Sequence, residues 1–339
     1  MRIERFDPVT DETRLKDCYE LVIAGHQADD PNVPARSYRW FRGWWTEGFA
    51  GNPQQIWLAT APSGALLGAY VLELPERDNR ANGFVSVVVA PSLRRQGLGT
   101  TLVAHAARQA DLAGRKLLMS DARIGAPGHS FAGSIGARPG MIEVRRVLDV
   151  GPALPARLAG LRAEAEQHSA GYTVRQWAGI TPDELVGPVC ALNEAMADAP
   201  HNDAFEPMVW DADRVIAEDM RVVGQGRRLY SVAALHDTTG AAAALSQVFI
   251  DPDIAGWGWQ GLTAVTREHR GHRLGLLVKV AMLEWLAEAE PQISHFVTFN
   301  AAVNEHMIAV NEKLGHRVSD QFQTFEIDVA DARNLPVRQ

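Results

Sequence analysis

The stretch FVSVVVAPSLRRQGLGTTLVAHAARQADLA, Phe84 to Ala113, decides how the rest of the chain is read. Its opening run, Val85, Val87, Val88 and Val89 broken only by Ser86, has the length and β-branching of a buried strand. Arg94, Arg95, Gln96, Gly97, Leu98 and Gly99 make a basic, glycine-bearing turn. Thr100 to Ala113 then spaces Leu102, Val103, Ala106 and Ala110 as a helix with one buried face. Strand, glycine turn and helix together offer unpaired backbone N–H groups at a helix start, where an anion is favoured. The stretch reads as a phosphate-binding loop. It lacks the lysine of a nucleotide-hydrolysing P-loop and the third glycine of a dinucleotide fingerprint.

Val89, Pro91, Arg94, Gly97 and Gly99 fill the pattern V-x-P-x-x-[RQ]-x-x-G-x-[GA]. In this the stretch resembles motif A of the GNAT-fold N-acetyltransferases. The resemblance implies an α/β fold on a mixed sheet, with acetyl-CoA as the bound cofactor. It places the backbone of Val87, Val88 and Val89 along the pantetheine, and Arg94, Arg95, Gln96, Gly97, Leu98, Gly99 and Thr100 around the pyrophosphate.

The whole chain has 339 residues, enough for two domains, with 46% hydrophobic and 22% charged residues, as in ordinary globular proteins. A net charge of −8 argues against nucleic acid or an anionic membrane as partner, while a local basic loop still suits a small anion. Cys18 and Cys190 fall on predicted helices in different halves, so no disulfide framework is expected and the cytoplasm is the expected location. The charged N-terminus has no apolar h-region, and no apolar run reaches membrane-span length. Nothing chooses between a monomer and a homodimer.

Before the motif come a strand over Ile3–Phe6, a helix opened by Asp11-Glu12, an aromatic helix (Tyr38, Trp40, Phe41, Trp44, Trp45) and a hairpin around Pro62-Ser63-Gly64. The aromatic helix packs a core or walls an acceptor cleft. After the motif come a strand ending at Asp121, a short helix ending at Gly136, and a strand over Met141–Val150. This β-α-α-β-β-β-α-β-α-β order is the GNAT order. Many relatives carry a tyrosine as general acid four residues before the glycine corresponding to Gly136; here that position is Ala132.

The pattern then restarts. GLTAVTREHRGHRLGLLVKVAMLEWL, Gly261 to Leu286, sets Val265 on Val89, Arg270 on Arg94 and Gly275 on Gly99, a constant offset of 176. A strand, basic turn and helix repeated at one spacing inside the same element order predicts two tandem GNAT folds. The expected boundaries are residues 1–150 for the first copy, 151–170 for a connector with a helical middle (Leu158, Leu161, Ala165), and 171–339 for the second. The second loop departs from the first: Arg273 stands where a glycine is expected, Gly271 lies two residues earlier, and Arg267 replaces Pro91. By the same resemblance, Ala264, Val265, Thr266, Arg270, Gly271, His272, Arg273, Leu274 and Gly275 line its cofactor site, with Asn300 and Asn304 facing the cofactor.

Acetyl transfer to a small-molecule amine needs the thioester and a neutral amine held ~3–3.5 Å apart and a base for the proton. The two-copy plan is similar to that of the mycothiol synthases, which implies catalysis in the C-terminal copy. The catalytic candidates there are Asn304, Asn311 (at the tyrosine position) and Asp203; asparagines equally serve as caps. Other acceptor-side groups are Glu73, Glu76, Asp198, His201 and Glu206. His269 and His272 flank the second turn; no residues have metal-ligand spacing, so no metal is expected. The N-terminal copy, with both glycines, is expected to be the better cofactor binder. Three readings stay open: a tandem acetyltransferase, an active copy supported by a silent one, and a non-enzymatic acyl-CoA sensor.

Overall fold

The computed structural model describes residues 1–48, 52–198, 200 and 204–336. The chain divides into two units: Met1–Glu143 with Ala204–Glu206 and Gln321–Gln339, and Val144–Asp203 with Pro207–Asp320.

Unit 1 begins with β1 (Arg2–Phe6), α1 (Glu12–Asp29), α2 (Tyr38–Glu47), β2 (Gln54–Thr60), β3 (Leu66–Glu73) and β4 (Asn82–Val89). It continues with α3 (Leu98–Leu112), β5 (Leu117–Arg123), α4 (Pro127–Ser134) and the first part of β6 (Arg138–Asp149). The helices start where the sequence supplies caps: the Asp11 carboxylate accepts from Arg14 N–H and the Ser37 hydroxyl from Trp40 N–H. Strand alternation then sorts the core. Ala69 and Val71 of β3 face α1 and α2, among Leu15, Cys18, Phe41 and Trp45. Tyr70 and Leu72 face α3, among Leu102, Val103, Ala106 and Ala110. Each such buried leucine contributes about 1.5–3 kcal/mol.

Unit 2 holds the rest of β6, α5 (Leu154–Glu166), β7 (Tyr172–Ala178), α6 (Asp183–Glu194), α7 (Ala212–Gly224), β8 (Arg228–His236) and β9 (Ala242–Ile250). It continues with β10 (Trp257–Val265), α8 (Leu274–Ala289), β11 (His295–Ala301), α9 (Glu305–Leu314) and the start of β12 (Arg317–Asp328). The rest of β12 and α10 (Val329–Ala332) lie in unit 1. The same element order therefore runs twice.

Two boundaries differ from the sequence reading. From Gln321 on, the chain belongs to unit 1, where β12 pairs antiparallel with β5 from Phe322↔Arg123 to Asp328↔Leu117. The alternation of β12 fixes which side chains face inward, but backbone pairing carries no label saying which copy owns the strand. Nor is 151–170 a bare connector: Leu154, Leu158 and Ala165 of α5 sit in the core of unit 2 against α8.

In both units the central parallel pair splays. β4 and β5 pair only at Asn82↔Leu117, Gly83↔Leu118 and Phe84↔Met119. Beyond these, β4 keeps only β3 as a partner, so one edge of Val85–Val89 stands free of β5. β10 and β11 likewise pair only from Trp257↔His295 to Trp259↔Val297.

Candidate functional site

The two motif turns have one backbone shape built from exchanged residues. In unit 1, Arg95 (φ 64°) and Gly97 (φ 89°) are both left-handed; at the matching positions of unit 2, Gly271 has φ 90° and Arg273 φ 53°. Glycine and arginine have traded places. A left-handed non-glycine residue costs roughly 1–2 kcal/mol, so each turn carries one such strain. The glycine missing at 273 thus does not remove the turn. Gly97 caps α3 and Arg273 caps α8, in each case without a side-chain cap bond, which leaves the first-turn amides without an intrahelical acceptor. Gly99 has a different job: a Cβ there would lie 3.3 Å from the Phe131 ring, so the glycine lets α4 close on α3.

Access separates the two. In unit 1, Gln96 is exposed, and Gly97, Leu98, Gly99 and Thr100 are half-buried. In unit 2, Leu274 is 1% exposed and Gly275 and Leu276 are buried, because α5 packs along α8. The end of α5 also answers the basic groups of the turn. Glu164 accepts from Arg273 at 2.8 Å and from Lys313 of α9 at 2.5 Å, which holds its carboxyl below the usual range. Asp198 pairs with Arg267 at 2.7 Å and Arg270 at 2.8 Å. His269 meets the Tyr172 hydroxyl at 2.8 Å, and the His272 ring lies 5.4 Å from that of Tyr172.

Arg94, which the motif reading sets at the phosphate, has an acidic partner in this structure. Its guanidinium makes a two-pronged pair with Asp29 at the end of α1 (2.6 and 2.9 Å), and Nε lies 3.4 Å from Val89 O. It braces the turn against α1. Arg95 remains exposed.

The catalytic asparagines of the sequence reading have structural partners. The Asn304 side chain accepts from Met307 N–H at 3.1 Å and caps α9. Asn311 is 0% exposed, and its amide donates to Asn300 Oδ1, which also accepts from buried Arg146 at 2.9 Å. Asn300 and Asn311 are core residues here, linked to each other and to Arg146, while Asn311 Oδ1 has no partner among the described residues. Asp203 and His201 lie outside the described residues. Glu206 belongs to unit 1, where it accepts from Asn79 N–H at 2.7 Å; Glu73 accepts from Asn52 at 2.7 Å. Glu76 is exposed.

Beside this network stands a group the sequence reading did not single out. Lys279 of α8 is 2% exposed, its Nζ has no hydrogen-bond partner among the described residues, and burial lowers its pKa to about 7. The nearby charge of Lys279 and burial, burial first, press His316 down to about 3.

Unit 1 holds two further residues that sequence reasoning passed over. Asp121 stands on β5 two residues beyond the last β4–β5 pair. Asp121 is exposed to solvent, yet the protein packed around it desolvates its carboxyl in part and raises its pKa, opposed by the charge of Arg36. Glu143 on β6 is raised too, first by burial and then by Asp121. A strand ending in aspartate is too common a signal to have marked Asp121. Its importance comes from the splay, which is a pairing fact. Arg123, on the same face, donates to Asp29 O at 2.6 Å, so this face of β5 looks toward the end of α1.

Among the described residues no cluster could hold a metal ion, and no helix is long and apolar enough to cross a membrane. A cavity of about 600 Å³ in unit 1 is lined by Arg5, Trp45, Asn52 and Gln54 among others, none of them a motif residue.

Comparison with known proteins bears on both units. The acetyltransferase (GNAT) family model matches residues 15–123. A tandem GNAT protein from the clavulanic acid biosynthesis pathway, solved without AcCoA, is 26% identical with a TM-score of 0.76, over 97% of this chain and 98% of that one. A GCN5-related N-acetyltransferase from Sphaerobacter thermophilus is 15% identical with a TM-score of 0.68, over 97% and 95%, and shares the fold. No curated protein matches in sequence. Duplicated element order, paired splays, matched turns and these likenesses converge: the chain has a tandem GNAT fold, and residues 15–123 match the acetyltransferase family model.

Proposed function

We propose that the protein moves an acetyl group from acetyl-CoA to a primary amine of a small molecule, and that unit 1 holds the donor and carries the chemistry. One observation carries this reading: unit 1 has a reachable helix start, a free strand edge and, on the neighbouring strand just past the splay, a carboxylate raised above its ordinary range. The amides of Leu98, Gly99 and Thr100 meet the pyrophosphate, and the unpaired edge of Val87–Val89 takes the pantetheine amides as a further strand would. The amine nitrogen attacks the thioester carbonyl carbon, and its proton passes to ionised Asp121. The tetrahedral adduct then collapses, the C–S bond breaks, and the CoA thiolate leaves. Ala132 offers no acid, so the thiolate takes its proton from water. Burial lifts Asp121 toward the working pH, where a base combines ionisation with proton affinity.

The test is an amine panel with acetyl-CoA, read by thiol release. Release with at least one amine, abolished by Asp121→Asn, supports the reading. Donor binding with no thiol from any amine overturns it in favour of a sensor.

A second reading places the chemistry in unit 2. There β10 breaks register between Gln260 and Thr263, a bulge that β4 lacks, and the Thr263 hydroxyl has no partner among the described residues. Bulges recur beside active sites, where they re-aim backbone groups. Turn variants specific to each unit separate the two readings.

A further inference from the structure

Unit 1 includes three residues, Ala204–Glu206, that lie in sequence between α6 and α7 of unit 2. The segment is tied down at both of its ends. The Asn79 backbone N–H donates to Glu206 Oε2 at 2.7 Å, and its side-chain amide donates to Glu206 O at 2.9 Å. Asn79 Oδ1 in turn accepts from Glu206 N–H at 2.7 Å, and the Asn82 amide donates to Ala204 O at 2.8 Å. Asn79 and Asn82 are buried, and Asn79 takes the left-handed φ of 51° that asparagine tolerates. These bonds fix where Phe205 stands. Its ring centroid lies 5.9 Å from that of Phe84, with the ring planes tilted by 59°, a favourable aromatic pair.

Phe84 is the last residue of β4 paired with β5, opposite Met119. Side chains opposite each other in a sheet share a face, as do residues two apart, so Phe84, Met119 and Asp121 lie on one face. Two residues of strand and one strand spacing put the Phe84 and Asp121 positions about 8 Å apart. Val85, Val87 and Val89 pack in the core on the α3 side and Val88 in the core on the α1–α2 side; Phe84 and Phe205 join neither. Both rings are half-buried. Polar bonds thus hold a half-open aromatic pair beside the free strand edge.

We propose that Phe84 and Phe205 wall an apolar acceptor subsite, and that the acceptor carries its primary amine on a short arm from a flat apolar ring. The ring packs on the two phenyl groups, and the arm brings the nitrogen to Asp121 and the thioester. The inference rests on the reading of unit 1 as the transferase site.

Ethylamine and 2-phenylethylamine share one arm and differ by the ring. Read by thiol release, kcat/KM for 2-phenylethylamine should exceed that for ethylamine by about 10–100-fold, the worth of burying a phenyl group. Phe205→Ala should bring this ratio within about threefold of one. Its acetyl-CoA affinity should stay within about twofold, the sign that unit 1 is intact. Phe205→Tyr, which keeps a ring, should keep most of the ratio. Asn79→Gly spares the left-handed backbone and removes the side-chain bonds to the segment, so it too should lower the ratio. A ratio near one in the unmodified protein overturns the inference, as does a ratio that Phe205→Ala leaves unchanged.

Calorimetric titration of 2-phenylethylamine without donor reads the subsite apart from turnover. Binding that Phe205→Ala abolishes, with no thiol release from any amine, sustains the subsite and sinks the transferase reading. Thiol release from ethylamine as efficient as that from 2-phenylethylamine sinks the subsite alone.

Discussion

The turn at Arg94–Gly99 and the turn at Arg270–Gly275 have nearly the same backbone and quite different surroundings. Each sets two left-handed residues two apart before a helix, and each spends one glycine and one arginine on them. In unit 1 the helix start is reachable, and the loop arginine is turned back to Asp29. In unit 2 the helix start is buried under α5, and Glu164 and Asp198 answer the arginines. A motif reports backbone geometry; it does not report access, because access is decided by segments far away in sequence. Here the deciding segment is α5, which reads as a connector.

The titratable groups of the two units differ as well. Unit 1 has Asp121 and Glu143, both raised first by desolvation; unit 2 has a buried amide–arginine network beside a buried lysine that has no partner among the described residues. The largest effect is expected at Asp121. Asp121→Asn should lower kcat about 10²–10⁴-fold while leaving acetyl-CoA affinity within a few-fold, since it removes only the base. In the unmodified enzyme, activity should fall as pH drops through the pKa of Asp121, because only the ionised form accepts the proton. That acid limb should lie above the ordinary carboxylate range, the direction in which burial moves the group. A full-rate Asp121→Asn enzyme would move the chemistry to unit 2.

Next in size is the cofactor contrast. Gly97→Glu puts an anion and a strained side chain at the cap of α3 and should weaken acetyl-CoA binding by at least about 100-fold, the scale of a charge set against the pyrophosphate. Arg273→Glu at the matching position of α8 should change it by less than about threefold. Calorimetry reads both. The reverse pattern would make the covered turn the real site and favour the unit 2 reading of the bulge.

Much of the architecture was legible because hydrophobic period and turn residues act locally. The element order, the motif turns and the duplication follow from patterns such as Val85–Val89 and Leu102–Ala110. What escaped depends on pairing between distant segments. The partner strand of Gln321–Asp328, the cover given by Glu164 and the exposure of Asp121 at a splay have no local signature. Asn304 and Asn311 show the same limit from the other side: an asparagine in a motif position looks identical whether it meets a ligand, a cap or a neighbouring amide.

The buried lysine offers a stability test of the same comparison. At its matching position in unit 1 stands Val103, an ordinary core residue. Lys279 has an unfolded pKa near 10.5 and a folded value of about 7, so the unfolded state binds its proton more tightly. Its destabilisation is full below pH ~7 and fades as pH rises toward ~10.5, where both states are neutral. Lys279→Met should therefore stabilise unit 2 by about 3–5 kcal/mol near pH 6. The gain should shrink steadily with pH in denaturant titrations. A gain independent of pH would mean that Lys279 already has a buried partner.

The smallest effect decides what Arg94 does. If it is a direct phosphate ligand, Asp29 competes for it, and Asp29→Asn should release the guanidinium and tighten acetyl-CoA binding. If it is a brace, the same change loosens the turn from α1 and weakens binding. The two-pronged 2.6 and 2.9 Å geometry and the Nε contact to Val89 O favour the brace. The pair is partly exposed, so its coupling is on the order of 1 kcal/mol and the expected loss only about 3–10-fold. Sign matters more than size here. A matched titration of Arg94→Ala should give a loss of similar size, and the double variant little more, because both single changes break one contact. Tighter binding in Asp29→Asn would return Arg94 to the phosphate and make the motif reading right after all.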